Sequence, residues 1–179
     1  AGLQVIQPKK VSSLDLVEKL QQLSPDAIVV VAFGQLISSA ILGIPPYGCI
    51  NVHPSLLPRY RGASPIQQAI IDGCRKTGVT TMLLDQGWDT GDILRQEEVD
   101  IKPQDTAETL EKVLAEVGAR LLVDTLENLA KGELEPIPQD ENQATYAHKL
   151  TRESGKISWD ATTDEIVDLV RGVMPWPGA

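Results

Sequence analysis

The sequence predicts an α/β fold, a Rossmann-like open sheet that is mostly parallel and flanked by helices. Three observations carry this expectation. Ala27–Phe33 (A-I-V-V-V-A-F) is a continuous apolar run, the pattern of a parallel strand covered on both faces. Ahead of it, Leu14, Val17, Leu20 and Leu23 recur every three residues, one helical stripe. Beyond it lies Gly34-Gln35-Leu36-Ile37, where an open α/β sheet places its ligands, although a plain strand-to-helix connection would read the same.

Taken in order, Leu3–Gln7 reads as a short strand, and Ser12-Ser13 caps the first helix, which Ser24-Pro25-Asp26 ends. The turn Pro45-Pro46-Tyr47-Gly48 delivers the strand Cys49-Ile50-Asn51-Val52-His53. Side chains two residues apart share a face of a strand, so Asn51 and His53 lie together with Val52 turned into the sheet. Pro54 keeps His53 extended. Ser64 caps the next helix and Pro65 takes its first position, with Ile66, Ala69 and Ile70 inward and Gly73 closing it. Val79–Leu84 is a further strand, running into Asp85-Gln86-Gly87-Trp88-Asp89-Thr90-Gly91-Asp92. That loop has the composition of a functional loop, and equally of a common turn.

Ile93–Ile101 reads as a partly exposed strand. Asp105-Thr106-x-Glu108 reads as a capping box opening a long helix with Leu110, Val113, Leu114, Val117, Leu121, Leu122, Thr125, Leu126 and Leu129 inward and Gly132 at its end. Glu135–Asn142 is polar and broken by proline, a loop leaving the compact domain. Thr145–Leu150 and Gly155–Trp159 read as short extended pieces. Thr162-x-x-Glu165 caps a last helix carrying Ile166, Leu169 and Val170. The expected division is a domain over 1–139 and a connecting segment over 140–179.

Composition narrows the function. A chain of 179 residues, 42% hydrophobic, fits one domain with an adequate core. No stretch approaches the roughly 18 apolar residues of a membrane span, so no membrane partner is expected. The start has no basic flank before an apolar run, hence no visible signal peptide. Cys49 and Cys74 lack ligand spacing and read as free thiols in a reducing cytoplasm. The net charge of −9 argues against gripping nucleic acid over a wide surface. His53 and His148 are too few and too far apart for a metal site, so no metal is expected.

An amide donor beside an imidazole is the minimum kit for a reaction through a tetrahedral intermediate: one stabilises the oxyanion, the other moves protons. A strand end with ordinary polar residues is the bland alternative. A Ser-His-Asp hydrolase drawn from Ser55, His53 and Asp89 lacks the G-x-S-x-G turn that exposes such a serine. Cys49 reads as packing.

The motifs Asn51-x-His53-Pro-Ser-Leu-Leu-Pro58, Arg59-Tyr60-Arg61-Gly62-Ala63 and Asp89-Thr90-Gly91 resemble the folate-dependent formyltransferases over nearly the whole chain. The Arg-Tyr-Arg-Gly-Ala form is most similar to members that formylate methionyl-tRNA for translation initiation. The resemblance implies the formyltransferase fold, 10-formyltetrahydrofolate as formyl donor, no metal, and Asn51, His53 and Asp89 as catalytic residues. It implies folate contacts from Gln35, Leu36 and Ile37, from Ser55, Leu56, Leu57 and Pro58, and from Asp85 and Gly87. A rigid turn is the alternative for Ser55–Pro58, and both can hold. Arg59 and Arg61 read evenly as surface charge or as a site for an anion. A carboxylate at Asp89 would support a charged imidazole and order a water for proton relay.

The resemblance also implies a first strand, helix and strand with a basic loop before Ala1, and a β-barrel domain after Ala179. Both would recognise tRNA, so the partners expected are folate and methionyl-tRNA, the latter with its recognition elements largely missing, in a bacterial cytoplasm or organellar matrix. An exposed sheet edge left by the missing strands would invite self-association. Three functional readings stay open: formylation of methionyl-tRNA; the same cleft acting on another amine or on water; and a non-catalytic folate-binding fragment.

Overall fold

The computed structural model describes residues 2–179. In chain order it contains α1 (Leu14–Leu23), β1 (Ile28–Val31), α2 (Ser39–Leu42), β2 (Cys49–His53), β3 (Arg61–Gly62), α3 (Pro65–Ile71), β4 (Lys76–Leu83), β5 (Ile93–Asp100), α4 (Ala107–Lys131), β6 (Tyr146–Ala147) and α5 (Thr163–Gly172). Short 3-10 turns occupy Glu141–Gln143 and Arg152–Gly155.

The α/β, Rossmann-like layout with flanking helices holds, but the sheet is mixed and not mostly parallel. Its order is β1-β2-β4-β5; β1 and β2 are parallel, while β4 is antiparallel to β2 and to β5. The stretch Val79–Met82 is buried throughout, and burial on two faces says nothing about strand direction. The loop from Leu84 to Asp92 is short enough to join antiparallel neighbours directly, whereas a parallel pair needs a crossover of a dozen residues or more. Nor is β1 covered on both faces. Ile28 packs against the cluster of Val17, Ile41 and Cys49, but Val29 and Val31 are 41% and 58% exposed.

One face of the sheet packs on α4. A side chain at Gly118 would meet Val52 Cγ1 at 3.0 Å, and the Thr81 and Thr125 hydroxyls bond at 2.8 Å across the same interface. Helix α4 is capped by Thr106 with Thr109 as its reciprocal partner. Asp105 and Glu108 are therefore not the box: Asp105 closes the preceding turn by accepting from Lys102 N, and Glu108 pairs with Lys112. Val113 is 44% exposed, on the flank of the stripe set by Leu110, Leu114, Val117 and Leu121.

Two stretches with a strand-like pattern do not form strands. Leu3–Gln7 forms no strand; its residues are exposed and find no ladder partner. Gly155–Trp159 is not extended into a strand either, since Gly155 ends a 3-10 turn and Trp159 is 83% exposed. Of Thr145–Leu150, the pair Tyr146–Ala147 forms β6, parallel to β3, and Ala147 joins the main core.

The stretch Glu135–Asn142 does not leave the body. Ile137 exchanges two backbone hydrogen bonds of 2.8 Å with Ile93 at the outer edge of β5, so an edge strand, not the solvent, satisfies its backbone. Farther on, α5 begins with the Thr162–Glu165 capping box and packs against α3. Gly172 makes that approach possible, because a Cβ there would stand 2.6 Å from Ile71 Cγ1 and 3.0 Å from Gln67 O.

Replacing Gly172 by valine should therefore force α5 off α3 and destabilise the fold by about 1–3 kcal/mol, the usual cost of overpacking. Urea unfolding of the variant against the parent chain measures it; an unchanged midpoint would show that α5 contributes nothing to the fold.

Candidate active site

Since Val52 faces α4, strand alternation places Asn51 and His53 on the opposite face. Among the described residues no protein partner bonds the Asn51 side chain, so its amide is available to a ligand. His53 is 4% exposed, and its Nε2 lies 2.9 Å from the carbonyl oxygen of Tyr60. A carbonyl only accepts, so Nε2 carries the hydrogen and Nδ1 is the nitrogen turned toward Asp89. Nδ1 stands 3.7 Å from Asp89 Oδ2, beyond a direct hydrogen bond and within ion-pair range.

Asp89 reaches this position by an unexpected route. Because β4 runs against β2, with Leu83 opposite Ile50 and Thr80 opposite His53, the loop after β4 leaves at the far end of β2. It then folds back over the sheet face. The three residues therefore do not gather at a common carboxyl end of parallel strands. Asp89 is left-handed (φ 55°), a conformation that short polar side chains tolerate. Its Oδ2 accepts from Gly62 N at 2.8 Å. Gly62 has φ 116°, and a Cβ on it would stand 2.7 Å from the Ala147 carbonyl, so only glycine can present its amide here. Tyr60 is also left-handed (φ 61°), held by its N–H donating to Thr145 Oγ1 at 2.8 Å.

The turn Ser55–Pro58 is pinned from beneath. Thr80 Oγ1 donates to Ser55 O (2.7 Å) and accepts from Leu57 N (3.2 Å), and Gln96 Nε2 donates to Leu57 O (2.8 Å). Ser55 and Leu57 are buried, Ser55 Oγ donating to Arg59 O at 2.6 Å. Leu56 covers Gly78, and Pro58 O accepts from Thr145 N at 3.2 Å. In the other loop, Asp85 Oδ1 accepts from Gly87 N and from the Thr90 hydroxyl, which closes the turn that contains Asp89. Gln35, Leu36 and Ile37 follow β1. By the parallel register of Val31 with Val52, they emerge at the end of the sheet where His53 lies. Leu36 is 46% exposed, while Ile37 packs into the cluster under β1.

Arg61 is neither surface charge nor an anion site. It is 1% exposed, with Nη1 and Nη2 on the two carboxylate oxygens of Glu141 at 2.9 and 2.7 Å and Nε on Gln139 Oε1 at 3.0 Å. Arg59 instead lies over the Tyr60 ring, 5.3 Å from its centre. The hydrogen bonds from Arg61 hold the Glu141 carboxyl below its ordinary range. Burial raises the Cys49 thiol to about 11, which leaves it protonated and suits a packing role. Among the described residues no group of three or more His, Cys, Asp or Glu side chains could hold a metal ion.

Pattern reading missed Gly62, Gln139, Glu141 and Thr145. Gly62 stands inside a motif with no pattern of its own, and the other three lie in segments with no periodicity. The one available signal was Arg61 itself, a charge beside a glycine in a two-residue strand. Two surface hollows of about 480 and 490 Å³ lie along α4 and between α1 and α2. Neither touches Asn51, His53 or Asp89.

A family model described as formyl transferase matches residues 3–126, and one described as formyl transferase, C-terminal domain, matches residues 149–179. A methionyl-tRNA formyltransferase from Halothermothrix orenii is 52% identical over 178 residues, 99% of this chain and 56% of that relative. One from Lachnospira eligens is 49% identical, with the same 99% and 56% shares. The chain thus spans little more than half the length of the curated relatives it matches. A solved sugar N-formyltransferase from a Shewanella species superposes with TM-score 0.77 at 26% identity, covering 91% of this chain and 65% of that one. HypX from Aquifex aeolicus, solved with tetrahydrofolic acid, gives TM-score 0.78 at 23% identity over 92% of this chain and 29% of its own, a likeness of fold.

The Arg61–Glu141 pair predicts an acid-sensitive site. A carboxyl whose value is lowered on folding stabilises the fold fully above its unfolded value, here the ordinary 4.5, and loses that contribution as pH falls through the folded value. Melting temperature should fall below that pH in the parent chain. In Glu141→Gln the acid limb should be shallower and the neutral-pH stability lower. Parallel melting curves for the two chains would contradict this.

Proposed function

The chain belongs to the formyl transferase family, and we propose that, within a longer enzyme, it transfers the formyl group of 10-formyltetrahydrofolate to the amino group of methionyl-tRNA. The observation that carries this reading is the pairing of an unpartnered Asn51 amide with a histidine whose Nδ1 faces Asp89. The relatives near 50% identity support the acceptor.

In this reading the amine nitrogen attacks the formyl carbon, forming the new C–N bond, and the carbonyl electron pair moves to oxygen. The Asn51 amide donates to that oxyanion. His53 Nδ1 takes the proton of the attacking amine and returns it to the folate nitrogen as the old C–N bond breaks, leaving tetrahydrofolate and the formylated amine. Asp89 stabilises the charge His53 carries meanwhile. Each oxyanion donor is worth about 10²–10³ in rate, and general acid–base help about 10²–10⁴. Folate lies against Gln35, Leu36 and Ile37, the turn Ser55–Pro58, and the loop holding Asp85 and Gly87. The buried Ser55 and Leu57 side chains shape that turn from inside.

Residues 1–139 form the catalytic domain and 140–179 the connection toward a C-terminal domain; that a separate family model begins at residue 149 supports a change of unit within this last stretch. Most tRNA recognition belongs to the remainder of the longer protein. The bacterial relatives support a cytoplasmic location, and no helix among the described residues is long and apolar enough to cross a membrane. Isolated as these 179 residues, the chain self-associates through the free edge of β1, beside the exposed Val29 and Val31; a monodisperse monomer in sedimentation would remove that part.

In the full-length enzyme, His53→Ala should lower formyl transfer at least about 10²-fold with folate affinity nearly unchanged. Asp89→Asn should lose rate while keeping the fold. Near-normal single-turnover rates in His53→Ala would remove the histidine from the mechanism. Preference for an amino sugar over methionyl-tRNA would overturn the acceptor and leave the chemistry standing.

A further inference from the structure

We infer that Gln139 is a positioning residue of this site, an amide clamp that fixes the loop carrying Asp89; the inference rests on the formyl-transfer reading above. Gln139 Nε2 donates to Asp89 O at 2.9 Å and to Gly91 O at 2.7 Å. These are two carbonyls of one loop on either side of Thr90, so the pair of bonds sets both the position and the tilt of the Asp89 backbone. The amide cannot be reversed. Its oxygen accepts from Arg61 Nε at 3.0 Å, and a guanidinium only donates.

The clamp is itself anchored. Arg61 is 1% exposed and takes both oxygens of Glu141, so the guanidinium cannot turn without leaving a buried charge unpaired. Next to it, Gly62 N donates to Asp89 Oδ2 at 2.8 Å. One side of Asp89 is thus held through its carboxylate by Gly62, and the other through its carbonyl by Gln139. Between these holds the residue stays in the left-handed region (φ 55°), where an L residue remains only if its surroundings over-determine it. In that conformation the carboxylate stands 3.7 Å from His53 Nδ1. The segment 139–141 therefore contributes to catalysis without touching substrate.

Gln139→Glu separates this role from mere packing. The new carboxylate keeps the Arg61 contact but loses both N–H donors and faces two carbonyls. In the full-length enzyme, kcat should fall about 10²-fold, the cost of a slight misplacement at a reacting centre, with KM for the formyl donor nearly unchanged. In an Asp89→Asn background the same substitution should cost almost nothing further, because residues acting as a unit are not additive. Hydrogen exchange at the Gly62 amide, followed without substrate, should quicken in Gln139→Glu. Full kcat in the variant, a loss that multiplies with that of Asp89→Asn, or an unchanged Gly62 amide would each overturn the clamp. A wild-type enzyme that formylates no amine would instead sink the functional reading, and the exchange measurement would still decide the clamp.

Discussion

A guanidinium removed from water must be fully paired or the fold that buries it is penalised by several kcal/mol. Arg61 meets that condition with groups about eighty positions away, Gln139 and Glu141. This requirement ties the middle of the chain to its last third. Once Arg61 is satisfied, β3 lies beside β6, Gly62 is pressed against Ala147, and the Gly62 amide points at Asp89. The ion pair is poor evidence for stability by itself, since an apolar replacement of equal shape could stabilise as much. What it specifies is register.

Around His53 the protein stiffens what would otherwise move. The two groups facing its nitrogens, the Tyr60 carbonyl and the Asp89 carboxylate, both belong to residues in the left-handed region. Strained backbone of this kind costs about 1–3 kcal/mol per residue, and here the Thr145 hydroxyl and the Gly62 amide oppose it. The turn between them rests on Thr80 and Gln96 in the sheet. The imidazole thus has one tautomer and one orientation before any ligand arrives, the preorganisation that makes electrostatic catalysis effective.

Much of this was legible in the sequence, and for identifiable reasons. Helices α1, α4 and α5 were visible because their caps are local: Ser24 and Gly132 in the left-handed region and the Thr162–Glu165 box act within a few residues, whereas the four-residue α2 is too short to show a stripe. Asn51 and His53 could be paired because strand alternation is also local. Strand direction was not readable, because Val79–Met82 is buried on both faces whichever way it runs. Likewise Glu135–Asn142 has the composition of a departing loop. It stays because Ile137 finds a free strand edge and Gln139 finds Arg61, partners that no window of neighbouring residues contains. Arg61 reads evenly as surface charge or as an anion site for the same reason.

The span of these partnerships has a consequence for the order in which the protein is made. His53 meets Asp89 across 36 positions, Arg61 meets Glu141 across 80, and Tyr60 meets Thr145 across 85; the first separation is simply 89 − 53. Contacts so distant in sequence form only after the intervening loops close. On a ribosome working from the amino end, β1, β2 and the facing β4 are available early, yet the Tyr60 carbonyl beside the histidine is not held until Thr145 has emerged from the exit tunnel. A nascent chain halted short of that residue would own His53 and still lack the surroundings that fix it.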